Sequence, residues 1–243
     1  MQPTLIVTHL PDRAVGIVRA CLRDGGSEVI TCNPRDRAPL PRIDEISGIV
    51  SLGGRQSATR VERDPFLAAE VRLLAAALRR SVPVLGMCLG AQLLAVAAGG
   101  RVTAMGRMQA GWPELAMAPA AAHDPLFGGF PATLPVLAWH EDMIQAPAHA
   151  VALGTTGGPG AALFRIGRSA WGSQAHLELT AHMLLTEWLT DPVDVAEVEA
   201  AGNEIDRFRA DSRAHLARQI AAARPMFRAF GALASGRAAS QAA

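Results

Sequence analysis

A short apolar run that stops at a cysteine between two glycines constrains the fold of this chain more than any other feature. The run spans residues 82–87, and Cys88 follows it with Gly86 and Gly90 two positions to either side. Residues 91–98 then have helical character. This order is typical of a nucleophile elbow, a sharp turn from strand to helix whose crowded backbone excludes side chains at the flanking positions. The sequence therefore predicts a strand–turn–helix unit with Cys88 at its turn.

Such a turn would hold the sulfur of Cys88 near the N-terminus of a helix. The positive end of the helix dipole favours a thiolate over a thiol, which makes the cysteine a candidate nucleophile. Free cysteine is also one of the most frequently buried residue types, so the motif alone leaves a core cysteine as an alternative. A cysteine nucleophile needs a base, and the rest of the chain must supply a histidine paired with a carboxylate.

His176, with Glu178 two residues later, is the candidate for this base. The pair follows a strand-like segment at 169–175, and in extended backbone the side chains of residues i and i+2 project to the same side. The carboxylate would fix the tautomer of the imidazole, which would take the proton from Cys88. The alternative is a surface histidine and glutamate that precede a helix capped by Thr180.

Strand-like and helix-like segments alternate over the first hundred residues. Strands are predicted at 4–9, 28–32, 48–52 and 82–87, and helices at 14–22 (with Asp12 as its cap), 66–80 and 91–98. This alternation favours an α/β fold with a mostly parallel, twisted sheet that helices cover on both faces. We expect a single domain with its site at the carboxyl edge of the strands.

The second half of the chain has a different character. It contains strand-like pieces at 112–117 and 136–139, and a hairpin formed by 151–155 and 162–166 around the turn at 157–160. From residue 181 the sequence is rich in alanine and helical, with a last helix to about residue 230 and a frayed tail at 235–243. We expect a core domain at 1–190 and a helical extension at 191–243 that packs on it.

Composition excludes several classes of function. The 243 residues carry a formal net charge of +1 and no basic run, which argues against a nucleic-acid or membrane-surface partner. No segment reaches the roughly 18 consecutive apolar residues of a membrane span, and the N-terminus lacks a secretory pattern. Cys21, Cys32 and Cys88 show no metal-ligand spacing. We expect a cytoplasmic protein without a bound metal, whose reducing surroundings keep the thiol usable.

Together these motifs resemble class I (triad-type) glutamine amidotransferases, in the form of a stand-alone, GMP-synthase-like domain. The elbow of that family, Gly-x-Cys-x-Gly-x-Gln, and its downstream Gln-x-His-x-Glu segment are matched here by Gly86, Cys88, Gly90, Gln92, Gln174, His176 and Glu178. Leu177 stands where a proline is usual. The resemblance extends over residues 43–180, more loosely to 230, and implies a flavodoxin-like fold.

The resemblance also implies roles for individual residues. Cys88, His176 and Glu178 would form a catalytic triad, and the backbone N–H groups of Gly54 and Leu89 would form an oxyanion hole. Four residues would line the substrate pocket, namely Gln92, Trp139, His140 and Asp142.

The His140–Asp142 pair is itself compatible with acid–base chemistry, and the resemblance places it instead near the α-amino and α-carboxylate groups of glutamine. Arg55 replaces a proline that commonly follows the Gly53-Gly54 pair.

The implied reaction is attack of Cys88 on the γ-carboxamide of glutamine or of a γ-glutamyl amide, with release of ammonia and no cofactor. The Gly-rich turn at 53–57 lacks the lysine of a phosphate-binding loop. The chain is therefore either an amidotransferase whose synthetase partner is a separate chain, or a γ-glutamyl hydrolase that transfers no ammonia. A DJ-1/PfpI-like enzyme is disfavoured because Leu89 follows Cys88, and a homo-oligomer and a non-catalytic subunit remain open.

Overall fold

The computed structural model describes residues 2–10, 15–36 and 39–236. Its strands are β1 Thr4–Val7, β2 Val29–Cys32, β3 Gly48–Ser51, β4 Val84–Met87, β5 Arg101–Gly111, β6 Glu114–Met117, β7 Thr133–Pro135, β8 Ala138–Gln145, β9 Val151–Thr155, β10 Leu163–Ile166 and β11 Ala170–Ser173. Its α-helices are α1 Val18–Asp24, α2 Pro65–Arg80, α3 Leu89–Ala97, α4 Pro192–Ala200 and α5 Ile205–Ala234. Shorter helical turns lie at Ala58–Arg63, Pro119–His123, Met183–Glu187 and Trp188–Thr190.

Among the described residues, nine strands form one sheet in the order β2-β1-β3-β4-β11-β10-β9-β6-β7. The five strands from β2 to β11 are parallel to their neighbours, as the alternation of strands and helices predicted. Beyond β11 the sheet continues in antiparallel strands, which include the predicted hairpin of β9 and β10. The parallel half carries the elbow, because β4 lies in its interior between β3 and β11.

Helices cover both faces of this sheet, and the strands alternate their side chains between two apolar cores. In β1, Leu5 and Val7 belong to the core shared with α2 and α3, whereas Ile6 belongs to the core shared with α1 and α5. In β3, Ile49 and Val50 divide between the two cores in the same way. The predicted α/β fold class is confirmed.

Strands β5 and β8 form a separate antiparallel ribbon beside α3. The sequence predicted one strand at 136–139, but β8 begins at Ala138 and extends to Gln145. Val136 and Leu137 lie between β7 and β8 because their N–H groups have other partners, the carbonyl oxygen of Pro113 and the side chain of Gln219. No local pattern in the sequence encodes either partner.

The first helix and the C-terminal segment differ in detail from the prediction. Helix α1 begins at Val18, while the predicted start at residue 14 and the proposed cap Asp12 lie outside the described residues, as do 237–243 of the predicted tail. Helix α5 extends to Ala234 and packs against α1, where a Cβ on Gly231 would meet the carbonyl oxygen of Leu22 at 2.5 Å. The two helices therefore lie in close backbone contact.

Candidate active site

The predicted elbow is present between β4 and α3. Cys88 has φ 48° and ψ −109°, a conformation that few non-glycine residues adopt and that is often found at functional sites. A Cβ on Gly86 would lie 2.6 Å from the carbonyl oxygen of Gly90, and one on Gly90 would lie 2.1 Å from that of Ser51. Both glycines are therefore required by close backbone packing, as the motif predicted.

Cys88 is almost buried, and its sulfur has polar neighbours from two other segments. Its Sγ lies 3.8 Å from the carbonyl oxygen of Trp139 and 3.8 Å from Nε2 of Gln174, which can donate a hydrogen bond to it. Its own backbone N–H donates to the carbonyl oxygen of Ser173 at 2.8 Å. The thiol is therefore held at the start of α3 and at the carboxyl edge of the parallel strands.

His176 and Glu178 form a buried pair beside this thiol. Nδ1 of His176 lies 2.7 Å from Oε1 of Glu178, and the two residues are 5% and 3% exposed. The second ring nitrogen, Nε2, lies 3.3 Å from the carbonyl oxygen of Trp139. The alternative of a surface pair is thus wrong, although Thr180 does cap the next helical turn by accepting from the N–H of Met183.

The surroundings of His176 favour its protonated form. Burial opposes the positive charge, but the charges of Glu178 and Cys88 outweigh it and raise the pKa of His176 well above its usual value. Both ring nitrogens face acceptors, which fits an imidazolium. The backbone of Glu178 is itself fixed, because its carbonyl oxygen accepts from the N–H of Ile17 at 2.9 Å. The arrangement supports an imidazolium at His176 whose Nδ1–H faces the carboxylate of Glu178.

The Gly53-Gly54 loop after β3 lies directly against these residues. A Cβ on Gly53 would lie 2.8 Å from Cε1 of His176 and 3.6 Å from Cβ of Cys88. A Cβ on Gly54 would lie 3.0 Å from Cδ2 of Leu89. Side chains at either position would displace the site, so the pair of glycines brings backbone, rather than side chains, up to the thiol.

A cavity of about 620 Å³ opens above Cys88, a size within the usual range for small-molecule sites. All nine residues predicted for the site line it: Cys88, His176, Glu178, Gly54, Leu89, Gln92, Trp139, His140 and Asp142. They come from segments far apart in the chain, and the sheet edge brings them together.

His140 and Asp142, both on β8, line the same cavity. Nδ1 of His140 donates to the carbonyl oxygen of Asp142 at 2.9 Å, and burial lowers the pKa of His140 to about 4, so the ring is neutral and Nε2 is an acceptor. The carboxylate of Asp142 is almost buried and accepts from Oγ of Ser57 at 2.6 Å. The wall therefore offers acceptors that suit a substrate ammonium group.

The sequence did not predict that the C-terminal segment would complete this cavity. Trp188 packs edge-on against the ring of His176, with ring centroids 5.4 Å apart. Oε2 of Glu197 accepts from the indole N–H of Trp139 at 2.8 Å. No motif marks Trp188 or Glu197 in the sequence, because their role depends on how the helices pack.

Arg55, the residue that replaces a common proline, also contacts this segment. Its guanidinium forms ion pairs with the carboxylate of Asp194 and, at 3.2 Å, with that of Glu197. Burial raises the pKa of Asp194, although the charge of Arg55 opposes this shift. Arg55 therefore links the Gly53-Gly54 loop to α4 through ion pairs, which a proline could not form.

The described residues contain neither a grouped set of metal ligands nor a membrane-spanning helix. Within 2–10, 15–36 and 39–236, no three histidine, cysteine, aspartate or glutamate side chains are grouped so that they could hold a metal ion. Over the same residues, no helix combines the length and the apolar character needed to cross a membrane.

The fold and the site define a class: an α/β protein with a cysteine elbow and a buried His–Glu pair at the carboxyl edge of its sheet. The profile of the glutamine amidotransferase class-I family matches residues 17–194. The chain belongs to this family. Membership supports a role in hydrolysis or transfer of the glutamine amide, in a family that typically uses a cysteine nucleophile.

Individual relatives agree with this assignment. The glutamine amidotransferase-like protein YfeJ of Salmonella typhimurium is 30% identical over 177 residues, which cover 72% of this chain and 73% of YfeJ. A glutamine amidotransferase structure from Methylobacillus flagellatus has a TM-score of 0.83 at 25% identity, covering 95% and 94% of the two chains. A candidate GMP synthase component from Thermoplasma acidophilum has a TM-score of 0.64 at 18% identity, covering 100% and 98%.

Proposed function

We propose that this protein hydrolyses the γ-carboxamide of glutamine, or of a γ-glutamyl amide, through a thioester on Cys88. One observation carries the proposal: the thiol at the strained elbow shares a cavity with the buried His176–Glu178 pair, whose ring and carboxylate are 2.7 Å apart. A nucleophile, a base and a group that orients the base are the parts that acyl transfer through a cysteine requires.

The first half of the reaction transfers the γ-glutamyl group to sulfur. The Cys88 thiolate attacks the γ-carbonyl carbon, and the carbonyl electrons move to oxygen, where the N–H groups of Gly54 and Leu89 stabilise the negative charge. As this intermediate collapses, Nε2 of His176 gives its proton to the amide nitrogen, the C–N bond breaks and ammonia leaves. A γ-glutamyl thioester and a neutral imidazole remain.

The second half hydrolyses that thioester. Nε2 of His176 takes a proton from water as the water oxygen attacks the thioester carbonyl, and collapse of the second intermediate expels the Cys88 thiolate. Glutamate leaves, and the imidazolium–thiolate pair is restored. Glu178 keeps Nδ1–H in place throughout, so that Nε2 is the nitrogen that exchanges the proton.

The cavity walls would bind the amino-acid end of the substrate. The α-ammonium group can donate to Nε2 of neutral His140, with the carboxylate of Asp142 nearby to balance its charge. Gln92 would contribute polar contacts from α3, and the ring of Trp139 would close the apolar side. These assignments follow from the lining of the cavity and the resemblance to the family.

A glutamine-like electrophile tests the nucleophile directly. Diazo-oxo-norleucine is expected to add once, at Cys88, with the adduct located by peptide mass spectrometry. Cys21 and Cys32 are internal controls, because burial raises the pKa of both thiols. Labelling at either of them, with Cys88 unmodified, would contradict the proposal.

The base can be tested by two substitutions. His176→Ala should slow thioester formation by about 10²–10⁴-fold, the usual worth of general acid–base catalysis, and Glu178→Gln should slow it less. Equal rates of acyl-enzyme formation in wild type and His176→Ala would refute the triad.

The identity of the leaving amine separates two versions of this function. We propose that the ammonia passes to a synthetase on a separate chain, in keeping with the structural likeness to a candidate component of GMP synthase. The alternative is a γ-glutamyl hydrolase with no acceptor. Turnover of a panel of γ-glutamyl amides and peptides, with none of glutamine, would favour the hydrolase.

A further inference from the structure

A buried polar cluster lies behind the Gly53-Gly54 loop, outside the cavity that holds Cys88. Glu70, on α2, is fully buried, and its Oε2 lies 2.7 Å from Nε2 of His9, which follows β1 and is also buried. Its other oxygen, Oε1, accepts from Oγ of Ser51 at 2.6 Å. The carboxylate of Glu70 on α2 therefore binds side chains from β3 and from the segment after β1, and it has no role in the proposed reaction.

This cluster contacts the loop through the imidazole of His9. Nδ1 of His9 lies 3.3 Å from the carbonyl oxygen of Gly53, which can only accept, so Nδ1 is the donor. Burial opposes protonation of the ring, but the charge and hydrogen bond of Glu70 outweigh it and raise the pKa of His9. The contact to Gly53 is therefore a charge-assisted hydrogen bond from a buried ion pair.

Because the Gly53–Gly54 peptide is trans, the contact with His9 also determines the direction of the Gly54 N–H. The described residues contain no cis peptide bond, so the C=O of Gly53 and the N–H of Gly54 point in opposite directions within the peptide plane. His9 lies on the side of the C=O, and a Cβ on Gly54 would come within 2.6 Å of Cβ of His9. The Gly54 N–H is therefore directed away from His9.

A Gly-Gly peptide needs such an anchor. Neither residue has a Cβ, so rotation of the peptide plane between them meets little steric resistance. The close contacts with Cys88, His176 and Leu89 require glycine at both positions, and the same requirement removes the restraint that side chains would give. An external hydrogen bond to the Gly53 carbonyl supplies it.

We propose that His9 and Glu70 are positioning residues that hold the Gly53–Gly54 peptide with the Gly54 N–H directed at the developing oxyanion. The inference rests on the proposed function, since an oxyanion forms only if Cys88 attacks a carbonyl. Removing one oxyanion donor lowers kcat by about 10²–10³-fold in enzymes of this kind of chemistry. KM should change little, because the donor acts on the transition state rather than on the bound amide.

A pair of matched variants isolates the contact. Glu70→Gln removes the charge but lets the amide donate to Nε2 of His9, so the neutral ring keeps its Nδ1–H for Gly53. His9→Ala combined with Glu70→Gln removes the donor without leaving a buried charge. If this double variant does not fold, His9→Phe with Glu70→Gln fills the same space without a donor. We expect the single variant within a few fold of wild type in kcat, and a double variant about 10²–10³-fold lower.

Alkylation of Cys88 by iodoacetamide is the second measurement. It displaces iodide at a saturated carbon and forms no oxyanion, so its rate depends on the thiol and His176 but not on Gly54. We expect this rate to be unchanged in the double variant while its glutamine turnover falls.

Each outcome decides the question. A double variant that turns over like Glu70→Gln would overturn the inference, and so would a parallel loss of alkylation and turnover, since that pattern means general damage to the site. If wild type turns over no γ-glutamyl substrate and its Cys88 is not labelled, the proposed function fails, and the inference fails with it.

Discussion

Gln219 is a single side chain that joins α5 to two other segments of the backbone. It lies on α5 and is fully buried. Its Oε1 accepts from the N–H of Leu137 at 2.7 Å, and its Nε2 donates to the carbonyl oxygen of His176 at 2.8 Å. One amide therefore joins α5 to the segment before β8 and to the backbone of the proposed base.

The substitution Gln219→Met keeps the length of the side chain and removes both polar groups. It leaves the N–H of Leu137 and the C=O of His176 without these partners in a buried place, at about 1–3 kcal/mol for each group. The thioether gains some apolar burial, so we expect the free energy of unfolding to fall by about 2–5 kcal/mol. We also expect a lower kcat, because the backbone of His176 loses its restraint.

Urea unfolding followed by fluorescence or circular dichroism measures this loss as a lower midpoint with an unchanged slope. Gln145→Met is the matched control, since Gln145 is exposed at the end of β8 and should change stability by less than about 0.5 kcal/mol. If Gln219→Met loses less than about 1 kcal/mol, or no more than the control, the two hydrogen bonds do not hold the C-terminal helix as argued.

Three further predictions follow from single contacts. The pKa of His140 is about 4 in the folded protein and near 6.5 in the unfolded chain, so the free energy of unfolding falls as the pH drops from 6.5 toward 4. Between pH 7 and pH 4.5, urea unfolding should show that wild type loses on the order of 2 kcal/mol more than His140→Gln. Gly90→Ala should prevent soluble expression, because its Cβ would lie 2.1 Å from the Ser51 carbonyl, whereas Gly111→Ala, with nothing near its Cβ, should express normally. Arg55→Gln should lower stability by less than about 1 kcal/mol, because its guanidinium is half exposed, yet raise KM in initial-rate assays by freeing α4 from the loop.

The sequence predicted those features of the site that depend on a few neighbouring residues. The elbow at Cys88 needs glycines two residues to either side, and this spacing is visible in a single chain. The i, i+2 spacing of His176 and Glu178 likewise predicted that their side chains could meet, although β11 ends at Ser173 and the pair lies in the loop beyond it. Both features depend on a few neighbouring residues.

Contacts between distant segments could not be predicted in this way. His9 and Glu70 are sixty-one residues apart, and each alone has the pattern of an ordinary polar residue near a helix or strand end. The ribbon of β5 and β8 lacked a recognisable pairing signal, because its register breaks between Ala104 and Gln109. The contacts between these residues are visible in the tertiary structure and not in any local pattern of the sequence.

The domain boundary near residue 190 remains a prediction. Residues on both sides of it line the cavity. The family profile ends at residue 194, yet Glu197 accepts from the indole N–H of Trp139 and forms an ion pair with Arg55, which follows the Gly53-Gly54 pair. Trp139 in turn presents its carbonyl oxygen to Sγ of Cys88 and to Nε2 of His176. Trp139 therefore connects Glu197 of α4 with the thiol and the imidazole through direct contacts. Glu197, which lies beyond the residues that the family profile matches, is therefore part of the wall of the cavity.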